Sequence, residues 1–160
     1  MNRRAQSALE YLLTYGWAIL IIIIVGASLY ALGVFNPGTF TGKRTTGFTQ
    51  FQMLDQKVDT NAYVTIFLGN RLGKTVTLTD INATYKNKGC EYSVPGANQT
   101  FGPNTQKSFT WNCSGAGDWS TGSLDLRTSY SVIIDFIYTD PESGLDHIDS
   151  GTIFGAVEQS

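Results

Sequence analysis

Two patterns of hydrophobicity divide the chain. Residues 11–35 read YLLTYGWAILIIIIVGASLYALGVF, and no Asp, Glu, Lys or Arg occurs between Glu10 and Lys43. As a helix these 25 residues extend about 37 Å at roughly 1.5 Å per residue, against a hydrocarbon layer of about 30 Å. The run Ile19-Leu20-Ile21-Ile22-Ile23-Ile24-Val25 would suit a buried strand by itself, but the apolar stretch around it exceeds any usual strand length. A helix over 6–36 is therefore predicted. It ends at Asn36-Pro37-Gly38, where proline has no backbone donor and pushes the preceding residue out of the helical region.

From Lys43 onward the pattern becomes short alternating or β-branched runs separated by Gly, Asn, Asp and Pro, the mark of antiparallel strands and turns. Strands are predicted at 48–54, 63–68, 75–85, 92–94, 108–112, 130–138 and 148–157. Val76, Leu78, Ile81, Val132, Ile134, Phe136 and Tyr138 are the expected inward-facing positions. No long amphipathic helix interrupts them. The expected fold is α+β: a long N-terminal apolar helix followed by an all-β, immunoglobulin-like sandwich over 48–160, joined by a linker over 37–47 with a hinge at TFTGKRTTG.

Charge sharpens this division. Arg3 and Arg4 precede the apolar run and the polar bulk follows it, so the positive-inside rule puts the N-terminus in the cytoplasm and residues 39–160 outside. The apolar stretch is too long for the core of an ordinary cleaved secretory signal. A net charge of −2 argues against nucleic-acid binding, which needs concentrated Lys and Arg. One His and two Cys are too few soft ligands for a zinc or iron–sulfur site within one chain, and no cofactor motif is present. The sandwich region is polarised: residues 43–117 carry +4, residues 118–160 carry −7. Stacked copies could place the two signs across an interface.

Glu10 stands one position before the apolar run, where an unpaired carboxylate costs about 2–4 kcal/mol if drawn into hydrocarbon. Residence at the interface, favoured by the helix dipole, avoids that cost. A cationic partner also would, and an α-amino group freed by proteolysis before Gln6 is the nearest candidate. These residues carry a resemblance. Arg3-Arg4-Ala5-Gln6-Ser7-Ala8-Leu9-Glu10-Tyr11-Leu12-Leu13, followed directly by the apolar run, resembles the class III signal peptide of archaeal type IV pilins. It departs from the family's usual pattern at Ala8 and Thr14. The resemblance implies cleavage of a 1–5 leader between Ala5 and Gln6 by a prepilin peptidase. It further implies that Glu10 is the assembly glutamate, and that the mature helix passes from membrane to filament core through an assembly platform. Small Gly16, Ala18, Gly26, Ala27, Ser28, Ala31 and Gly33 would allow close helix packing there.

Cys90 and Cys113 lie 23 positions apart in the part inferred to be exported, where a disulfide is permitted; two reduced core cysteines are the alternative. The bridge is the expected state. Three Asn-x-Ser/Thr sequons begin at Asn82, Asn98 and Asn112, and Asn98 in a turn-rich loop is the best placed for N-glycosylation. Gly69-Asn70-Arg71-Leu72-Gly73-Lys74-Thr75 has one residue too few for a phosphate-binding loop, so a hairpin turn is expected. Asp140, Glu142, Asp146 and Asp149 are candidate calcium ligands without EF-hand spacing, and a solvated turn containing an exposed His147 is expected. No nucleophile, base and oxyanion donor assemble into a catalytic set. The expected function is structural: a non-enzymatic, homo-oligomeric filament subunit on the cell surface. The alternative is a permanently anchored surface protein or pseudopilin.

Overall fold

The computed structural model describes residues 3–32, 34–35, 42–115, 119 and 124–160, with backbone alone for 3–9 and Leu12. The chain divides into two compact units, Met1–Asn36 and Pro37–Ser160. The first is helix α1, Arg3–Ala31. Its Leu and Ala residues favour it and no proline interrupts it, while the β-branched run Ile21–Val25 is helical through the apolar length around it. Its last turn is satisfied by Leu32 N donating to Ser28 O and Val34 N to Leu29 O.

The second unit contains two antiparallel sheets. The larger uses β1 (Arg44–Thr46), β9 (Asp146–Ala156), β8 (Ser129–Thr139), β4 (Val76–Tyr85) and β5 (Lys88–Ser93) in that spatial order, with β6 (Thr100–Phe101) also pairing β4. The smaller uses β2 (Phe51–Val58), β3 (Tyr63–Asn70) and β7 (Gln106–Asn112). A short helix, α2 (Gly96–Gln99), precedes β6. Period-two burial along β8 and β4 faces all seven predicted inward positions into one core. Phe51 of the small sheet stacks on Phe101 at 5.8 Å and meets Phe136 and Tyr138 of the large sheet at 5.5 and 5.2 Å. The α+β reading therefore holds, with two facing sheets whose edges do not merge into a closed barrel.

Several boundaries differ from the sequence pattern. Arg44–Thr46, expected within the linker, is a strand paired to residues 152–154, while residues 36–41 of that linker lie outside the described residues. Residues 48–50 do not extend the second predicted element, because Asp149 captures the backbone N–H groups of Thr49, Gln50 and Phe51 that a ladder would use. Phe48 instead lies flat over Gly151, where a Cβ would come within 2.7 Å of its ring. The 70–75 connection is not a hairpin: β3 belongs to the small sheet and β4 to the large one. The buried Asn70 side chain holds this crossover, donating to Lys74 O, Phe101 O and Gly102 O and accepting from Leu72 N.

Candidate functional site

The helix is the first candidate. The span Leu13–Ala31 is long and apolar enough to cross a membrane, and none of it is buried. Ile22, Trp17 and Tyr30 are 69%, 68% and 79% exposed. Two of its aliphatic hydroxyls are turned onto the helix itself, Thr14 Oγ1 donating to Glu10 O at 2.8 Å and Ser28 Oγ to Ile24 O at 2.7 Å. Between Trp17 and Leu29 this leaves an outward surface that is mainly aliphatic, while the phenols of Tyr11, Tyr15 and Tyr30 stand towards its ends. Aromatic residues gather towards the two ends: Tyr11 and Tyr15, with rings 4.2 Å apart, and Trp17 on one side, Tyr30 and Phe35 on the other. Such belts suit headgroup layers on either side of hydrocarbon. Glu10 is exposed at the head of this surface. Ala5 and Gln6 lie in α1, and their side chains are outside the described residues.

The second candidate is the machinery that holds the two sheets together. On one side Cys90 of β5 and Cys113, just beyond β7, form a disulfide with Cα atoms 5.5 Å apart. Tyr92 stacks on Trp111 beside it at 5.4 Å, again from one sheet to the other. The pairing thus joins the edge strands of opposite sheets. On the other side Gln56 of β2 donates from Nε2 to Phe154 O at 2.8 Å and to Arg44 O at 3.2 Å. Asp149 of β9 accepts from Thr49 N, Thr49 Oγ1, Gln50 N and Phe51 N at 2.9–3.0 Å. Lys43 reaches Asp55 at 2.9 Å and Glu158 at 3.1 Å. Burial alone would lower the Lys43 pKa, but hydrogen bonds and charge from its two carboxylates raise it. Asp55 is held below the ordinary carboxylate range by the Lys43 and Gln56 hydrogen bonds.

Beside Gln56, the Tyr130 hydroxyl is pushed up to about 12, first by burial and then by the negative charge of Glu158. Among the described residues neither that hydroxyl nor Gln56 Oε1 meets a partner with hydrogen-bond geometry, although the two groups are neighbours and a weak contact between them opposes the shift. Sequence reasoning missed Gln56, Asn70 and Tyr130 altogether. Their one signal was polarity at positions that should face inward, visible only once register is known.

The acidic turn does not converge. Asp140 pairs with Lys74 at 2.5 Å, and Glu142 lies 3.4 Å from the same ammonium. That hydrogen bond lowers the Asp140 pKa. Asp146 accepts from Thr139 Oγ1 at 2.6 Å, while Asp149 is the buried cap described above. Among the described residues no three His, Cys, Asp or Glu side chains are grouped to hold a metal ion. Asp149 is thus a correction to the solvated-turn reading, because it is withdrawn from water by four donors. His147 is exposed and stacks on Tyr138 at 5.4 Å.

The sequons occupy three environments. Asn98 is exposed in α2, Asn82 is half-buried on β4, and Asn112 is exposed at the end of β7 with Oδ1 accepting from Ser114 N at 2.6 Å.

No known family model and no curated protein matches the sequence. Among solved structures, a protein described as late embryogenesis abundant overlays with a TM-score of 0.41 at 8% identity, over 91% of this chain and 88% of that one. At that distance the likeness carries no argument about function. The apolar N-terminal helix is of the kind that serves as a membrane anchor or signal, and the disulfide belongs to an oxidising, extracytoplasmic setting.

Proposed function

We propose that this chain is a pilin, a structural subunit of an archaeal type IV pilus-like filament. The precursor sits in the membrane with its N-terminus in the cytoplasm and its β unit outside. A prepilin peptidase removes residues 1–5 between Ala5 and Gln6. An assembly platform then transfers α1 from lipid to a bundle of the same helix from other copies. The observation that supports this reading is the helix itself: long and apolar enough for a full membrane span, with the Thr14 and Ser28 hydroxyls bonded to its own backbone and a single carboxylate, Glu10, at its head. Each large aliphatic side chain on it gains about 1.5–3 kcal/mol on leaving water, so lipid or other helices must cover it. A new ammonium at Gln6 of a neighbouring copy would neutralise Glu10 on entry to the bundle and fix register. The cross-sheet ties suit a subunit that endures outside the cell without chaperones.

N-terminal sequencing with intact mass on protein recovered from the cell surface tests this. The expected protein begins at Gln6, lacks the two hydrogens of free thiols, and carries added mass at Asn98 if that sequon is glycosylated. A start beyond Phe35, or a start at Met1 in normally formed fibres, overturns the reading. Retained Met1 with no fibres in electron micrographs of shed material points instead to a permanently anchored surface protein.

A further inference from the structure

At the end of the β unit where the chain enters, an open groove of about 620 Å³ runs between β1, β8 and β9. Its lining includes Lys43, Arg44, Ser129, Ser131 and Phe154. The Arg44 guanidinium lies over the Phe154 ring, 5.2 Å from its centroid. Ser129 and Ser131 are successive outward positions of β8, both exposed. Lys43 is already committed to Asp55 and Glu158, so the cation the groove offers is Arg44, which has no carboxylate partner among the described residues.

We propose that this groove binds the phosphate of a membrane lipid headgroup. A guanidinium fork set over an aromatic ring can offer paired N–H donors to phosphate oxygens. Two hydroxyl donors, Ser129 and Ser131, line the same groove, and neither has a hydrogen-bond partner among the described residues. The occupant is a lipid because of the tether. Residues 36–41 separate Phe35 from Gly42, a stretch of at most about 25 Å fully extended. A bilayer that holds the helix therefore keeps its headgroups at high effective concentration around the groove. The inference rests on the membrane-inserted precursor of the preceding section and deepens it: the groove would hold the β unit against the membrane until the helix is withdrawn.

The test labels the full chain with an arginine-specific dicarbonyl reagent in two kinds of nanodisc, one of phosphate-free glycolipid and one containing phosphatidylglycerol, read by mass spectrometry. Arg44 should label at least about fivefold more slowly in the phosphatidylglycerol discs, the protection given by a ligand at about four times its Kd. Arg71 and Arg127, both exposed, should label equally in both. The Ser129→Ala/Ser131→Ala variant, a surface change that leaves folding intact, should lose most of the protection. Equal Arg44 rates in the two discs overturn the proposal, as does equal shielding of Arg71 and Arg127. Full protection by inorganic phosphate in glycolipid discs overturns the lipid assignment in favour of a free anion. Failure of the helix to insert in either disc sinks the membrane reading itself, whereas an unprotected Arg44 in inserted protein sinks the groove alone.

Discussion

Gln56 Nε2 of the three-stranded sheet donates 2.8 Å across the sandwich to the carbonyl oxygen of Phe154 in the six-stranded one. The same nitrogen reaches Arg44 O, so one buried carboxamide holds β1, β9 and β2 together. Replacing it with Leu keeps the volume but strands two carbonyl groups, at about 1–3 kcal/mol for each that water cannot reach. Gln56→Leu is expected to lower stability by about 2 kcal/mol in urea unfolding, and to speed hydrogen exchange in β1 before the rest of the sheet. An unchanged midpoint would show that Gln56 is not a tie between the sheets.

The disulfide closes a loop with a sequence separation of 23 between edge strands that share no ladder. Restricting the unfolded chain in this way is worth about 3 kcal/mol. Cys90→Ala/Cys113→Ala should therefore unfold at lower denaturant, with a steeper dependence on denaturant concentration because the unfolded chain is freed to expand. Since Tyr92 and Trp111 stack alongside, tryptophan fluorescence should report loosening of that edge first. Equal stability of the oxidised and reduced protein would remove this role.

Asp149 accepts four hydrogen bonds from residues 49–51 while almost fully buried. Asp149→Asn keeps the shape but turns an amide towards backbone donors, at an expected cost of about 2–4 kcal/mol. Thermal unfolding checks the size. Added calcium is expected to rescue neither protein, because the carboxylate serves backbone N–H groups.

Tyr130 gives the fold an alkaline limit. Its folded pKa of about 12 lies above the ordinary 10.0, so folding favours the neutral phenol. That contribution is complete below pH 10 and is lost as pH rises from about 10 through 12, a total of about 2–3 kcal/mol. At the acid end the sign reverses. Asp55 and Asp140 have depressed values, so their contribution is present above about pH 4 and disappears as pH falls through their folded pKa values. Unfolding midpoints across pH, with tyrosinate absorbance, test both. Tyr130→Phe should make the alkaline limb shallower, leaving the loss due to Lys43, Lys74 and Tyr138, whose values are also raised, and leave the acid limb unchanged.

Under the proposed pilin function, Glu10 is expected to separate insertion from assembly. Glu10→Leu removes a charge at the head of an apolar span, so membrane insertion should be retained or improved. If the glutamate pairs with a neighbouring amine, filament yield should fall while membrane-bound precursor persists. Wild-type filament yield from Glu10→Leu would refute the assigned role.

Much of this molecule was legible in the linear order of residues, because the governing effects are local. An unbroken apolar run of 25 residues is too long for a usual strand and reads as a helix of membrane-spanning length. Alternation along residues 130–138 marks Val132, Ile134, Phe136 and Tyr138 for one face, since side chains on a strand alternate by geometry. The strands, the inward positions and the opportunity for a disulfide follow from such short-range rules. What tertiary structure decided is which distant residues meet. Asp149 looked like part of an acidic turn and became a buried cap for residues a hundred positions away. Arg44 looked like part of a hinge and became an edge strand with its cation over Phe154. Gln56 fell between the expected strands 48–54 and 63–68 and became the tie across the core. In each case the value of a polar group depends on whether a partner replaces the water it loses, and strand register rather than composition fixes that partner.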